Sequence, residues 1–166
     1  MSRPVLSADC ARCSALCCLV LAFDAGALFG LDKRAGEPCP HLDGCGRCGI
    51  HGEREARGFG GCVAYDCLGA GQRVTQELFG GESWLANPSL AAPMARAFAT
   101  VHRAHGLLQL LEEAGKLPLS IGDRRWRARL EAALAAAGGE GKAIDALEVE
   151  TRVFLRRLRR YGTARG

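Results

Sequence analysis

Nine cysteines carry most of the chemistry available to this chain of 166 residues, and all nine fall between Cys10 and Cys67. They form three groups: Cys10-Ala-Arg-Cys13-Ser-Ala-Leu-Cys17-Cys18, then Cys39 with Cys45-Gly-Arg-Cys48, then Cys62 and Cys67. Thiolates at short spacing converge on a soft or borderline metal ion. Four of them complete a tetrahedral zinc site or hold an iron–sulfur cluster. The spacing therefore predicts metal binding rather than a set of buried thiols without metal.

Two details of the spacing bear on how a metal would be held. In a helical Cys10–Cys18 run, at ~100° per residue, Cys10, Cys13 and Cys17 lie within about 60° of one another and Cys18 lies about 80–140° away. Cys17 and Cys18 therefore serve different metal positions, or one of them is not a ligand. Cys45-Gly-Arg-Cys48-Gly49 has the spacing of a metal knuckle, because glycine permits a tight turn whose N–H groups point at sulfur. This knuckle favours zinc over an iron–sulfur cluster.

Polar side chains inside the cysteine region have supporting roles in this interpretation. His41 and His51 are potential nitrogen ligands, but with so many thiols available we expect them beside the metal rather than on it. Arg12, Arg47, Arg54 and Arg57 are near enough in sequence to offset the negative charge of a zinc tetrathiolate. No catalytic set of residues is predicted, because any thiol near a histidine is better explained as a ligand.

The cysteine pattern resembles the YkgJ-like family of zinc- or iron-chelating cysteine-rich proteins. The resemblance is carried by Cys-x2-Cys-x3-Cys-Cys at 10–18, Cys39-Pro-His-Leu, Arg47-Cys48-Gly-Ile-His51, Gly61-Cys62 and Asp66-Cys67. A closer resemblance is to the cysteine-rich module that precedes pentapeptide repeats in some actinobacterial proteins, where a stretch like Gly58-Phe-Gly-Gly-Cys-Val-Ala-Tyr-Asp-Cys-Leu-Gly-Ala-Gly-Gln72 recurs. It covers residues 9–84 and implies eight metal ligands: Cys10, Cys13, Cys17, Cys18, Cys39, Cys48, Cys62 and Cys67.

The chain departs from that pattern in two ways. Cys45 is not part of it, so resemblance and knuckle geometry disagree about this residue. No pentapeptide repeat follows the cysteines. Some larger relatives resemble flagellin lysine methylases, to which an iron–sulfur cluster is attributed, but no nucleotide-binding glycine motif is present here.

Composition excludes several classes of protein. Hydrophobic content of 48% and charged content of 24% are those of an ordinary globular protein. The longest apolar stretch, Ala15–Phe23, is about half of the ~20 residues that a membrane span needs, and no cleavage site follows it cleanly. We expect an unprocessed, soluble, cytoplasmic protein that does not enter membranes, with free or metal-bound thiols rather than disulfides.

The part of the chain after Gln72 lacks cysteine and shows helical periodicity. Three amphipathic helices are predicted, over about 89–115, about 123–137, and a third with Ile144, Leu147, Thr151, Phe154, Leu158 and Tyr161 on its apolar face. His105 falls on the apolar face of the first helix, where we expect a hydrogen-bonded interface residue. Trp84 is expected to pack between the two parts of the chain.

These observations predict a mainly α fold in which an irregular, metal-stapled cysteine-rich lobe (residues 1–72) docks on a three-helix bundle (residues 73–166). The protein is interpreted as a non-catalytic metal-binding protein that holds zinc or, alternatively, an iron–sulfur cluster. One alternative is a metal or redox sensor whose arginine-rich helices bind nucleic acid or a transcription partner, since residues 73–166 carry a net charge of +5. Another is an iron–sulfur enzyme related to the flagellin lysine methylases.

Overall fold

A computed structural model describes residues 3–139 and 141–161, and these residues form a mainly α-helical protein. The α-helices are α1 (Leu16–Val20), α2 (Gly60–Ala64), α3 (Ala70–Arg73), α4 (Ala91–Ala114), α5 (Ile121–Ala136) and α6 (Gly141–Arg157). Single turns of 3-10 helix cover Cys10–Arg12, His51–Glu53, Pro88–Leu90 and Leu158–Tyr161, and a π-helical turn covers Val74–Leu78. Strand pairing in the described ranges is limited to two isolated antiparallel bridges, Phe23 with Lys33 and Leu42 with Cys48. The predicted fold class is confirmed.

The long helices α4, α5 and α6 pack against one another as a bundle, as their periodicity predicted. Helix α5 begins where the hydroxyl of Ser120 accepts a hydrogen bond from the N–H of Asp123 at 3.2 Å. Gly138 and Gly139 follow the end of α5, in agreement with the low helix propensity of glycine. Among the described residues, no helix is long and apolar enough to cross a membrane. The bundle core consists of Ala104, Leu107, Leu108, Leu111, Ala114, Leu119, Leu130, Leu134, Ile144, Phe154 and Leu158.

A buried carboxylate fastens the end of the bundle. Asp123 accepts hydrogen bonds from the hydroxyls of Tyr161 at 2.5 Å and Ser120 at 2.8 Å, and from Arg157 at 3.2 Å. The Tyr161 hydroxyl, then Ser120 and the Arg160 guanidinium, hold the pKa of Asp123 well below its usual range. A charged group with so many donors is stable although it is buried. These hydrogen bonds tie the start of α5 to the 3-10 turn Leu158–Tyr161, which follows α6.

A second cluster of buried residues, here called the junction core, joins α1 and α3 to α4. Its members are Leu16, Leu19, Ala70, Val74, Trp84, Met94, Ala97, Phe98 and Val101. The indole N–H of Trp84 donates to the carbonyl oxygen of Ser14 at 2.6 Å. The predicted packing of Trp84 between the cysteine-rich and helical parts is confirmed.

His105 links the end of the cysteine region to α4 from a fully buried position. Its Nδ1 lies 2.5 Å from the carbonyl oxygen of Leu68, so Nδ1 carries the proton, and Nε2 accepts from Arg73 at 3.1 Å. Burial lowers the pKa of His105 to about 4, because the charged imidazolium would lose its hydration. The histidine is a neutral connector, as its position on the apolar face predicted.

The run from Cys10 to Cys18 is not one helix, which corrects the geometry expected from its spacing. It consists of the 3-10 turn at Cys10–Arg12 and then α1, separated by Ala15 in the left-handed region with φ of 51°. The N–H of Ser14 donates to the hydroxyl of Thr75 at 3.1 Å instead of continuing the helix. Cys10, Cys13 and Cys17 therefore do not share a helical face.

Candidate metal centre

A cavity of about 580 Å³ lies between the cysteine-bearing segments and α4. Eight of the nine cysteines line it: Cys10, Cys13, Cys17, Cys18, Cys39, Cys48, Cys62 and Cys67. Cys45 is not among the lining residues, and all nine cysteines are free thiols. The cavity thus brings together the whole set of ligands that the resemblance implied.

Hydrogen bonds from α3 and the π-helical turn hold the first cysteine segment in place. The side-chain oxygen of Gln72 accepts from the N–H of Asp9 at 3.1 Å, and its amide nitrogen donates to the carbonyl of Ser7 at 2.7 Å. Gln76 donates to the carbonyl of Arg12 at 2.9 Å. These contacts across about 60 positions of sequence fix an otherwise irregular segment, so Cys10 and Cys13 have defined positions.

Cys13 packs so closely on α3 that only glycine fits beneath it. A Cβ on Gly71 would collide with the Sγ of Cys13. We expect Gly71→Ala to destabilise the protein by about 1–3 kcal/mol, because overpacking forces a side chain or the backbone to move. The matched control is Gly106→Ala in α4, where a Cβ meets no atom within 4 Å. That change should stabilise by about 0.5–1 kcal/mol, since alanine favours helix.

Urea unfolding of the two glycine variants measures this difference directly. Opposite shifts in the unfolding midpoint are expected. Equal shifts for Gly71→Ala and Gly106→Ala would show that Cys13 is free to move away from α3.

Aromatic rings form the outer wall of the cavity. Phe23 and Phe29 stack with ring centroids 4.3 Å apart, and Phe59 meets Phe23 edge-on at 6.4 Å. Phe29 lies directly over Gly61, where a Cβ would collide with the ring. An apolar wall limits access of water to the thiols and strengthens electrostatic interactions among them.

Both histidines of the cysteine region line the cavity, as does Arg47. The His41 ring contacts Phe59 edge-on with centroids 4.9 Å apart, so it packs as part of the aromatic wall. His51 begins a 3-10 turn, and its carbonyl accepts from Arg54 at 2.9 Å. These contacts agree with a place beside the thiols for both rings.

Burial favours the protonated form of three cavity thiols. It raises the pKa of Cys13 to about 12 and raises those of Cys10 and Cys62 as well. Cys17 differs: its Sγ lies 4.0 Å from that of Cys18, and the hydrogen bond between the two thiols lowers the pKa of Cys17 to about 7. A bound cation would have to displace these protons, so binding would release protons and strengthen as pH rises.

Arg54 lines the cavity, and the ammonium of Lys33 lies at the end of α1, the helix that carries Cys17 and Cys18. Arg54 donates to the carbonyl of Cys62 at 3.2 Å, and its charge favours the thiolate forms of Cys10, Cys17 and Cys62. Lys33 is 6% exposed, and its ammonium donates to the carbonyls of Leu19 at 3.2 Å and Leu21 at 2.5 Å. Positive charge at this position suits an anionic metal–thiolate centre.

Sequence reasoning singled out Arg54 but missed Lys33 and Tyr65. The Tyr65 side chain lines the cavity, and its buried hydroxyl has no hydrogen-bond partner within the described residues. Burial raises the pKa of Tyr65, followed by the nearby Cys17 and Cys67. An unpartnered buried donor beside thiols suits an anionic acceptor such as a metal-bound thiolate. Tyr65 lies between Cys62 and Cys67 in sequence, but this spacing does not mark its hydroxyl as a donor. Lys33 is positioned by the carbonyls of Leu19 and Leu21, which local spacing does not reveal.

The Cys45–Cys48 turn has a structural explanation that involves no metal. The carboxylate of Asp43 accepts from the N–H groups of Cys45 at 2.9 Å and Arg47 at 2.7 Å. Gly46 supplies the positive φ of 76° that the turn needs. The amides that would point at sulfur in a knuckle are thus occupied by Asp43, and the exposed Cys45 side chain lies outside the cavity.

Many arginines of the arginine-rich helices are paired with carboxylates of the bundle. Arg103 bonds Asp145 at 2.8 Å and Glu148 at 2.6 Å. Further pairs are Arg127 with Glu131, Arg129 with Glu150, Arg152 with Glu148, and both Arg157 and Arg160 with Asp123. Much of the local positive charge is therefore compensated within the fold.

The fold and the cavity define a mainly α, cysteine-rich protein. The chain is 41% identical over 109 residues to a Bacillus subtilis (strain 168) protein described only as "Uncharacterized protein YybG". The similarity covers 66% of this chain but 39% of that protein, so the chain spans about two fifths of the length of this relative. No family model and no solved structure matches the chain.

Proposed function

We propose that the chain is a non-catalytic metal-binding protein that holds zinc or an iron–sulfur cluster through the eight cavity cysteines. The observation that carries the proposal is the selective gathering of these thiols in one cavity, while the ninth, Cys45, lies outside it. Cysteines that served only as small apolar residues would be expected inside packed cores. The resemblance to the YkgJ-like family points to the same eight residues.

The surroundings of the thiols fit an anionic metal centre. Four thiolates around Zn²⁺ carry a net charge of −2. Arg54 in the cavity lining, and Lys33 at the end of the helix that carries Cys17 and Cys18, supply positive charge near it. The unpartnered hydroxyl of Tyr65 supplies a donor to metal-bound sulfur. No three Cys, His, Asp or Glu side chains in the described ranges form a ready coordination group, so metal binding would require the thiols to draw together.

The choice between zinc and iron rests on the donor set alone. The Cys45–Cys48 spacing favoured zinc because it is typical of a metal knuckle. Since hydrogen bonds to Asp43 explain that turn without a metal, the spacing no longer favours zinc over iron. Four thiolates suit either a zinc ion or an iron–sulfur cluster. Both remain within the proposal, and elemental composition separates them.

Purification without oxygen, followed by elemental analysis and assay of acid-labile sulfide, tests the proposal. We expect more than one metal atom per chain, as zinc alone or as iron accompanied by sulfide. The matched control is a variant with serine at all eight cavity positions that retains Cys45, and it should carry no metal. Less than half an equivalent of any transition metal in the unaltered protein would refute the proposal.

A further inference from the structure

The eight cavity cysteines fall into two neighbourhoods, and the first is built on the junction core. Cys13, Cys17 and Cys67 pack against that core. Cys10 joins them through the 3-10 turn, where the N–H of Cys13 lies 3.5 Å from the Cys10 carbonyl oxygen.

Helix α3 brings the two ends of this first group together. The carbonyl of Cys67 accepts from the N–H of Ala70 at 2.9 Å at the start of α3. Cys13 rests on Gly71, the next residue of the same helix. Cys13 and Cys67, 54 positions apart in sequence, are therefore positioned by one turn of helix.

The second neighbourhood is built on Cys18 of α1 and the loops that follow, and Leu42 of these loops packs against the edge of the junction core. The N–H of Cys39 donates to the carbonyl of Cys18 at 3.0 Å, and the carbonyl of Cys39 accepts from Leu42 at 3.0 Å. Leu42 in turn forms the isolated bridge with Cys48. A continuous chain of backbone contacts thus connects Cys18, Cys39 and Cys48.

Cys62 reaches this second group through the aromatic wall. Its N–H donates to the carbonyl of Phe59 at 3.0 Å, and the Phe59 ring contacts His41. The carbonyl of His41 accepts from Gly49, the neighbour of Cys48, at 2.8 Å.

The two groups meet at α1, where consecutive residues belong to different neighbourhoods. Cys17 packs against the junction core, while the carbonyl of Cys18 holds Cys39. Successive side chains on a helix diverge by ~100°, so the pair is suited to serve two neighbouring ions. The 4.0 Å separation of their Sγ atoms places the two groups side by side.

We propose, building on the metal-binding function above, that the cavity contains two four-thiolate sites of separate composition. The first consists of Cys10, Cys13, Cys17 and Cys67, and the second of Cys18, Cys39, Cys48 and Cys62. Each site binds one Zn²⁺ with loss of four thiol protons and gives a centre of net charge −2. Arg54 contacts the second group through the Cys62 carbonyl and lines the cavity that both groups share.

Pairs of substitutions within and across the groups test this division. The full chain, stripped of metal without oxygen, is titrated with Zn²⁺ alone and its stoichiometry is read by native mass spectrometry. The unaltered protein should bind two ions. Cys13→Ser with Cys67→Ser should leave one ion, as should Cys39→Ser with Cys48→Ser. The cross-group pair Cys13→Ser with Cys39→Ser should leave none.

The outcomes separate the division from the function on which it rests. A within-group pair that loses both ions, or a cross-group pair that keeps one, would overturn the division, as would a single ion in the unaltered protein. Binding of less than half an equivalent by the unaltered protein would refute metal binding itself. The ion retained by each within-group pair, together with an unchanged bundle signal in circular dichroism, reports that the variant has folded.

Discussion

Complete removal of metal should unfold the cysteine-rich loops and leave the C-terminal bundle helical. Across residues 20–69, all of them described, Phe59 is the one apolar side chain that is buried. Such a segment cannot offset its conformational entropy, whereas a structural zinc site contributes about 10–16 kcal/mol of apparent free energy. After chelation we expect rapid proteolysis within residues 20–69 and only a partial loss of helical circular dichroism.

The bundle supplies the internal control for this experiment. Its core comes from α4, α5 and α6 with Leu119 and Leu158, and among the described residues no cysteine belongs to it or is among the hydrophobic residues packed against it. Residues near Leu16 and Val74 belong to the junction core and should be cleaved more slowly than the loops. Readdition of Zn²⁺ should restore protection, and equal resistance of both parts after complete chelation would contradict the prediction.

The bundle could be predicted because the residues that form its core recur at short, helical spacing in the sequence. The residues Ile144, Thr151, Phe154 and Leu158 recur at helical spacing, and all four are buried. The helices predicted over about 89–115 and about 123–137 correspond to α4 (Ala91–Ala114) and α5 (Ile121–Ala136). The break at Ala15 was not predictable, because it depends on a hydrogen bond from Ser14 to Thr75, 61 positions away.

The candidate site was predictable as a set of residues but not as an arrangement. The resemblance selected the eight cysteines that share the cavity and left out Cys45. Their division into two neighbourhoods follows from contacts such as that of Cys13 with Gly71, which no spacing reveals. The burial of Lys33 could not be predicted either, because it depends on hydrogen bonds to the carbonyls of Leu19 and Leu21 at the end of α1.

Cys48→Ser should lower the metal content and Cys45→Ser should leave it unchanged, although both residues lie in one turn. Cys48 lines the cavity, whereas Cys45 is exposed and lies outside it. Loss of Cys48 opens one tetrahedral site, and we expect about one of two zinc equivalents to be lost. Loss of Cys45 should leave the metal content unchanged, because Asp43 holds the turn through backbone N–H groups that serine retains.

Metal stoichiometry of the two variants, prepared in parallel without oxygen, decides the role of Cys45. In the unaltered, metal-loaded protein Cys45 should also be the first thiol to react with an alkylating agent, since it is exposed and carries no metal. Asp43→Ala provides a control for the turn, and it should loosen residues 43–47 whichever thiol binds metal. Matching metal losses in Cys45→Ser and Cys48→Ser would show that Cys45 is a ligand, and the cavity would then have to admit a thiol that now lies outside it.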